Sequence, residues 1–309
     1  MKRIVSILTA ICMAYLIMSS TASALVEDDV YIVTMTGVEL SEKQYNNLLR
    51  AFDHSTIITL DPFTIDLYKD AETIISTSQK YYIRVDTTYS NGEIVAENET
   101  LISEQMYNLV SDIPVVEPRY SATCGKDTHT TSYKTLTIAI SYSGSSSEFR
   151  TVKLTNTWKK IPTCKSYDVI AISPKNLSMQ LPTDGLINAS GYMQYDGKII
   201  NYNWGSNNMK VVHKSGVFKS GVGLSQNIPD NVTSSLKNSL TVSFYNTDQL
   251  FIAYGSYQHA TQDVTLKESQ DYTISVLGMG SVIYFSDDVA PYYDDMQGVV
   301  CELDLSEYL

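Results

Sequence analysis

Near its C-terminus the chain reads CELDLSE, which places Glu302, Asp304 and Glu307 in a Glu-x-Asp-x-x-Glu spacing. Two carboxyls flanking a glycosidic bond can hydrolyse it, one as nucleophile and one as acid/base, when they stand about 5–5.5 Å apart. In a regular strand, residues two apart share a face, so Glu302 and Asp304 lie together while Glu307 points away. A hydrolase using Glu302 and Glu307 therefore needs a β-bulge between them, and nothing in the stretch signals one. The competing reading is an amphipathic edge strand with Leu303 and Leu305 turned inward.

Three other constellations offer chemistry. Asp287 and Asp288, then Asp294 and Asp295, bracket VAPYY. Carboxylates at that density can hold Ca²⁺, which takes six to eight oxygens, but the spacing matches no calcium-loop signature, and a solvated acidic turn is the favoured reading. Asp196-Gly197 signals a tight type I′ hairpin. Pairing across it puts Met193, Tyr195, Ile200, Tyr202 and Trp204 on one face, either as core or, through Tyr195, Tyr202 and Trp204, as an aromatic platform for a sugar or peptide. The four histidines, at 54, 129, 213 and 259, show no metal-binding spacing, and His259 in YQHA reads as a hydrogen-bonded structural residue. A serine nucleophile elbow and a phosphate-cradling glycine loop are both missing; Gly221 and Gly223 lack the third glycine and the following helix.

The N-terminus sets the compartment. Lys2 and Arg3 precede an apolar run over residues 4–18, and Ala22 and Ala24 supply small residues at the −3 and −1 positions of a cleavage site. This is the layout of a secretory signal peptide over residues 1–24, and the run is shorter than the roughly 20 residues a spanning helix needs. No later segment is apolar and long enough to insert into a membrane. The formal charge is −12, more negative still once Lys2 and Arg3 are removed. That balance repels phosphate backbones and argues against nucleic acid as a partner. Tyrosine is abundant, at 23 residues, and suits half-buried strand positions.

Export also permits a disulfide. The apolar runs at 132–142 and 149–158 flank the turn-like SGSSS, and in an antiparallel hairpin centred there Cys124 and Cys164 meet at the open end. The sequence thus predicts a Cys124–Cys164 bridge, with Cys301 left as a buried strand residue.

Positioning elements follow from local grammar. In LSEKQYNNLL, Ser41 is an N-cap, Gln44 completes a capping box, and Leu40 with Tyr45 forms a hydrophobic staple. ISEQMYNLVS repeats that pattern at Ser103 without the box glutamine, which reads as one capping solution used twice. Asp61 and Pro62 open another short helix. Between these helices, alternating residues break at Asn91-Gly92, a hairpin signal. Residues 113–131, with Pro114 and Pro118, read as a linker. Thereafter short strands are expected at 135–142, 150–158, 167–173, 189–195, 198–204, 210–213, 239–246, 250–257, 272–277, 281–286 and 299–305.

The segments SEKQYNNLL, TNTWKKIPTCKSYDVIAIS, YGSYQHA and YYDDMQGVV together resemble a group of uncharacterised secreted proteins of Gram-positive, clostridia-like bacteria. That resemblance implies export and an all-β fold and transfers no site. Separately, the spacing of Glu302 and Glu307 is similar to the catalytic strand of jelly-roll β-glucanases, which implies glycoside hydrolysis as the alternative activity.

The expected architecture is mainly β: a helix-and-hairpin α+β region at 25–112, a linker at 113–131, and an antiparallel β-sandwich or jelly-roll-like domain at 132–309. The expected role is a non-catalytic extracellular or cell-surface binding protein, with an extracellular protein or glycan as partner and no cofactor beyond a candidate Ca²⁺. The export reading predicts a mature N-terminus at Leu25, which Edman sequencing of secreted material checks; Met1 or Lys2 at the terminus would sink it.

Overall fold

The computed structural model describes residues 30–90, 93–111, 128–144, 148–175, 188–213, 220–274, 282–294 and 298–308. The chain begins with a small hairpin, β1 (Val30–Val33) and β2 (Glu39–Ser41), followed by helices α1 (Glu42–Leu48), α2 (His54–Ile57) and α3 (Pro62–Tyr68). Each helix starts on a side-chain cap. Ser41 Oγ accepts the Gln44 N–H at 3.4 Å while Gln44 returns a bond to Ser41 N–H at 3.2 Å, and Asp61 accepts the Thr64 N–H at 2.9 Å. Asp53 caps α2 in the same way. These caps satisfy orphan N–H groups that such short helices cannot satisfy themselves. Leu40, Leu48, Phe52, Ile57, Leu60, Ile65 and Tyr68 then bury together as one cluster.

Two long strands follow, β3 (Ile74–Ser90) and β4 (Glu93–Ile102), then helix α4 (Glu104–Ser111). Ser90 pairs with Glu93, so the hairpin turns at Asn91-Gly92 as the sequence indicates. The remaining strands are β5 (Thr128–Ser143), β6 (Phe149–Trp158), β7 (Tyr167–Pro174), β8 (Ala189–Tyr195), β9 (Lys198–Asn203), β10 (Met209–His213), β11 (Ser220–Asn227), β12 (Leu236–Tyr245), β13 (Leu250–Gln258), β14 (Tyr272–Ile274), β15 (Ile283–Phe285) and β16 (Val299–Asp304), with helix α5 (Leu266–Ser269) after β13. Asp196 and Gly197 both take positive φ, 46° and 77°, as a type I′ turn requires.

All ladders are antiparallel. A seven-stranded sheet runs β4-β3-β5-β6-β12-β8-β9 and a five-stranded sheet β10-β11-β7-β13-β16. Their facing sides share the main core, including Ile138, Leu154 and Leu240 from the larger sheet and Ile170, Leu224, Phe251 and Leu303 from the smaller. The N-terminal helices cover the outer face of the larger sheet: Tyr68 donates to Ser141 O at 2.8 Å, and Asp53 binds Lys153 and Lys237 at 3.0 and 3.3 Å. Burial alone would raise the Asp53 pKa, but the two lysines hold it well below the carboxylate range. On the far side, Tyr272, Ile274, Ile283 and Tyr293 pack on Val169 and Ala171 of β7.

The mainly-β antiparallel expectation holds, but the expected domain boundary does not follow the sheet. β3 pairs with β5 along its whole length, from Ile74↔Ser143 to Tyr89↔Thr128, so the 25–112 region and the later strands build one sheet. Residues 128–131, expected as linker, already belong to β5. Strand β11 escaped the sequence reading because Gly221 and Gly223 dilute its alternation. Those glycines make room: a Cβ on Gly223 would stand 2.0 Å from the Tyr272 hydroxyl.

Cys164 is half-buried and has no disulfide partner among the described residues, and Cys124 lies outside them. Beyond the last β5–β6 pair, Lys134↔Trp158, the chain stays beside β5: the Lys159 N–H donates to Tyr133 O at 2.9 Å and Thr163 accepts from the Tyr89 hydroxyl at 2.8 Å, so Cys164 lies toward the open end of the hairpin, and the expected bridge to Cys124 falls outside the described residues. Cys301 is buried in β16.

Replacing Ser41 with Ala removes both halves of the capping box. The variant should lose about 0.5–2 kcal/mol of stability, read as a lower denaturant midpoint; an unchanged midpoint would show that the cap is energetically idle.

Candidate functional site

The carboxyls that first suggested catalysis do not converge. β16 pairs with β13 in unbroken register from Leu250↔Asp304 to Gly255↔Val299, so no bulge is present. Its burial alternates, with Glu302 and Asp304 exposed and Cys301, Leu303 and Leu305 inward. Glu307 is exposed in the turn beyond the strand. The amphipathic edge strand is thus what the structure contains.

The aromatic platform is also corrected. Tyr195 is 8% exposed, and Tyr202 and Trp204 are half-buried against the main core; burial pushes the Tyr202 hydroxyl up to about 12. Packing against the core accounts for these rings. The acidic turn separates as well: Asp287 and Asp288 are exposed, Asp295 lies outside the described residues, and Asp294 is buried elsewhere. Among the described residues no group of acidic, His or Cys side chains is arranged to hold a metal ion.

Asp294 instead joins a polar cluster between the two sheets. Lys134, on the inner face of β5, is fully buried; its Nζ contacts Glu99 Oε1 of β4 and lies 3.2 Å from Asp294 Oδ2. The rings of Trp158 and Tyr257 stand 4.7 and 5.0 Å from the same nitrogen. Asp294 is fixed by backbone on both sides, since Oδ1 accepts the His259 N–H at 2.7 Å and the Asp294 N–H donates to His259 O at 3.0 Å. An isolated bridge, Ala260↔Tyr293, holds the two segments together.

A second acid stands behind the first. Asp168 Oδ1 meets His259 Nδ1 at 2.8 Å and accepts the Ala260 N–H at 3.0 Å, while Oδ2 accepts the Tyr257 hydroxyl proton. Trp158 Nε1 donates to the Tyr257 hydroxyl at 2.9 Å. Glu97, next inward-facing on β4, accepts from Thr87 Oγ1 at 2.8 Å.

Electrostatics follow from this crowding. Burial, with Asp294 adding to it, raises the Glu99 carboxyl well above its ordinary value and favours its protonated form. Burial would neutralise Lys134, but Asp294 and Glu99 outweigh it and raise the lysine pKa. For His259 burial again works downward, and Asp168 foremost reverses it, so the imidazole is raised above 6.5. Cys164 is pushed up to about 12 by burial and by Asp168, Asp263 and Glu97, so it stays a thiol and is no nucleophile at neutral pH.

Sequence reasoning placed His259 as a hydrogen-bonded structural residue, and its bonds to Asp168 and Asp294 agree. It missed Glu97, Glu99, Lys134 and Asp168. The signal was strand parity: Lys134 alternates with Leu136, Ile138 and Ile140, all fully buried, so a charge sits on a core face.

An open depression of about 430 Å³ lies beside Lys165, Asp230 and Asp263. Lys165 Nζ there is engaged by the chain itself, donating to the carbonyls of Asp230 and Val232. No helix among the described residues is long and apolar enough to cross a membrane.

No known family profile matches the chain, and no curated protein matches it. Among solved structures, it is similar to the collagen-binding domain from a Staphylococcus aureus adhesin, at 13% identity over 38% of this chain and 79% of that one, TM-score 0.25. The C-terminal domain of the Streptococcus agalactiae AgI/II polypeptide BspA matches at 9% identity over 60% and 88%, TM-score 0.25. The KRT10-binding region domain of the pneumococcal serine-rich repeat protein PsrP matches at 13% over 59% and 89%, TM-score 0.24.

The His259–Asp168 pair gives the cluster a pH signature. A raised histidine pKa stabilises the fold fully below about pH 6.5 and loses that contribution as pH climbs through the raised value. The melting temperature of the protein should fall over this interval, and His259→Gln should be less stable at low pH with a flatter profile. Residual slope in the variant belongs to Glu97 and Glu99, which release protons in the same direction. An unchanged slope would refute the assignment to His259.

Proposed function

We propose that the protein is exported and acts without catalysis, by binding an extracellular protein partner. The observation that carries this reading is a set of exposed apolar side chains on one edge strand and on the helix that follows it. Val95 and Leu101 of β4, and Met106 and Leu109 of α4, are 59, 46, 51 and 74% exposed. β4 pairs only with β3 among the described strands, so its outer edge carries free backbone groups beside those side chains. An extended polypeptide can add to such an edge through main-chain bonds while its side chains meet the apolar patch. The signal-peptide layout of residues 1–24 supports the compartment.

Immobilised mature protein, probed with a panel of extracellular matrix proteins and polysaccharides, tests this. A partner protein should be captured, and the double substitution Met106→Asp, Leu109→Asp should weaken capture by about tenfold or more with no change in melting temperature. Binding indifferent to that pair would overturn the surface. Release of reducing ends from a polysaccharide, lost in both Glu302→Gln and Glu307→Gln, would replace the binding reading with hydrolysis.

A further inference from the structure

We propose that Lys134 and Asp294 become joined by an intramolecular amide bond between Lys134 Nζ and Asp294 Cγ, with Glu99 as the proton-transfer group. The buried ions are then the reactant state of a cross-link between the seven-stranded sheet and the segment bridged to the end of β13. This reaction is independent of the binding role proposed above and could fail without affecting it.

Placement decides the roles. Lys134 Nζ is the nucleophile, fully buried and within 3.2 Å of the Asp294 carboxyl. Asp294 is the acyl group because its Oδ1 already accepts the His259 backbone N–H at 2.7 Å. A fixed donor there stabilises the charge that grows on oxygen when an amine adds to the carbon. Glu99 has no such donor. Neither of its oxygens makes a hydrogen bond of ordinary geometry, yet one abuts Lys134 Nζ, which suits a neutral acid that gives a proton and recovers one.

The step balances without any other reactant. Lys134 enters as the ammonium and Glu99 as the neutral acid; Nζ passes one proton to Asp294 Oδ2, 3.2 Å away, which leaves a lone pair on Nζ. Nζ attacks Asp294 Cγ and the C–N bond forms, with negative charge on Oδ1 held at the His259 N–H. Oδ2 then takes its second proton from Glu99, which recovers one from the attacking nitrogen. The C–O bond breaks and water leaves. Ammonium and carboxylate have become a neutral amide and water, with no change in oxidation state.

Two features favour the product. Converting two buried ions into a neutral amide removes the desolvation cost that an ion pair carries in a protein interior. The Trp158 and Tyr257 rings beside Nζ exclude the water that hydrolysis would need. A reaction that each molecule performs once also tolerates a small population of free amine.

Peptide mapping decides the matter. The full chain, expressed with its own leader, is digested with trypsin and read by tandem mass spectrometry. The expected result is one branched species linking the Lys134 and Asp294 segments, lighter by one water than the two linear peptides together, with no cleavage after Lys134. Linear peptides cleaved after Lys134, or a branch joining Lys134 to Glu99, would overturn the proposal. Glu99→Gln should keep the wild-type circular dichroism and yield unlinked peptides; a linked Glu99→Gln protein would remove Glu99 from the reaction. Because the wild-type map needs no substitution, a poorly folding variant leaves the primary result intact.

Discussion

A lysine ammonium with no exposure to water constrains where much of this chain can go. Taking an ion out of water costs several kcal/mol even after relaxation, and only close partners in good geometry offset that. The partners of Lys134 come from distant places: Glu99 precedes it on β4 and Asp294 follows nearly all the other strands. β3 runs for 17 residues, long enough to pair with β5 on one side and to hold β4 on the other, which puts Glu99 on the same inner face as Val85. At the other end the Ala260↔Tyr293 bridge and the paired bonds between His259 and Asp294 fix the second carboxyl. The N-terminal hairpin and the C-terminal segment are therefore parts of one unit, joined by charge as well as by apolar area.

The outer face of the large sheet meets a different demand with different residues. It is buried by the N-terminal helices, yet β6 and β12 present hydroxyls there rather than large apolar groups. Thr151 and Ser243 bond at 2.8 Å, Thr64 of α3 reaches Ser243 at 2.9 Å, and Ser76 meets Ser141 at 2.9 Å. Short hydroxyl side chains satisfy one another and let a helix approach closely, which avoids the penalty of an unpaired buried polar group. Asp53 does the same with charge, serving at once as the cap of α2 and as the anchor for Lys153 and Lys237.

What the sequence made legible was local. Ser41, Asp61 and the Asn91-Gly92 and Asp196-Gly197 turns act within a few residues, and each appears in the structure where its chemistry places it. The strands read from alternation match closely for β6, β7, β8 and β13. What failed was relational. The proline-containing stretch after α4 read as a domain boundary because nothing local tells that β3 and β5 are partners across it. Asp294 read as one of four clustered acids because proximity in sequence was the available measure; a buried lysine far upstream decides its place instead. Lys134, Glu99 and Asp168 carried a parity signal, but an isolated charge in a strand is also what a solvent face looks like. The two cases separate only when the opposite sheet is known.

Edge chemistry gives the C-terminal carboxyls a sufficient physical account. β16 ends the five-stranded sheet, and an edge strand there invites pairing with another chain. Glu302 and Asp304 project from it into solvent, and charges on an edge discourage such pairing. The Tyr81 hydroxyl, reaching across from β3, donates to Val300 O at 2.7 Å and accepts the Val300 N–H at 3.3 Å, which occupies backbone groups of the same strand. β4, the edge of the seven-stranded sheet, is handled otherwise: its glutamates at 97 and 99 turn toward the interior cluster, while Val95 and Leu101, toward its two ends, stay exposed. Turning Glu97 and Glu99 inward leaves Glu93 as the exposed acid of that strand. The buried ionic cluster and the exposed apolar edge are thus two consequences of one placement of residues along a single strand.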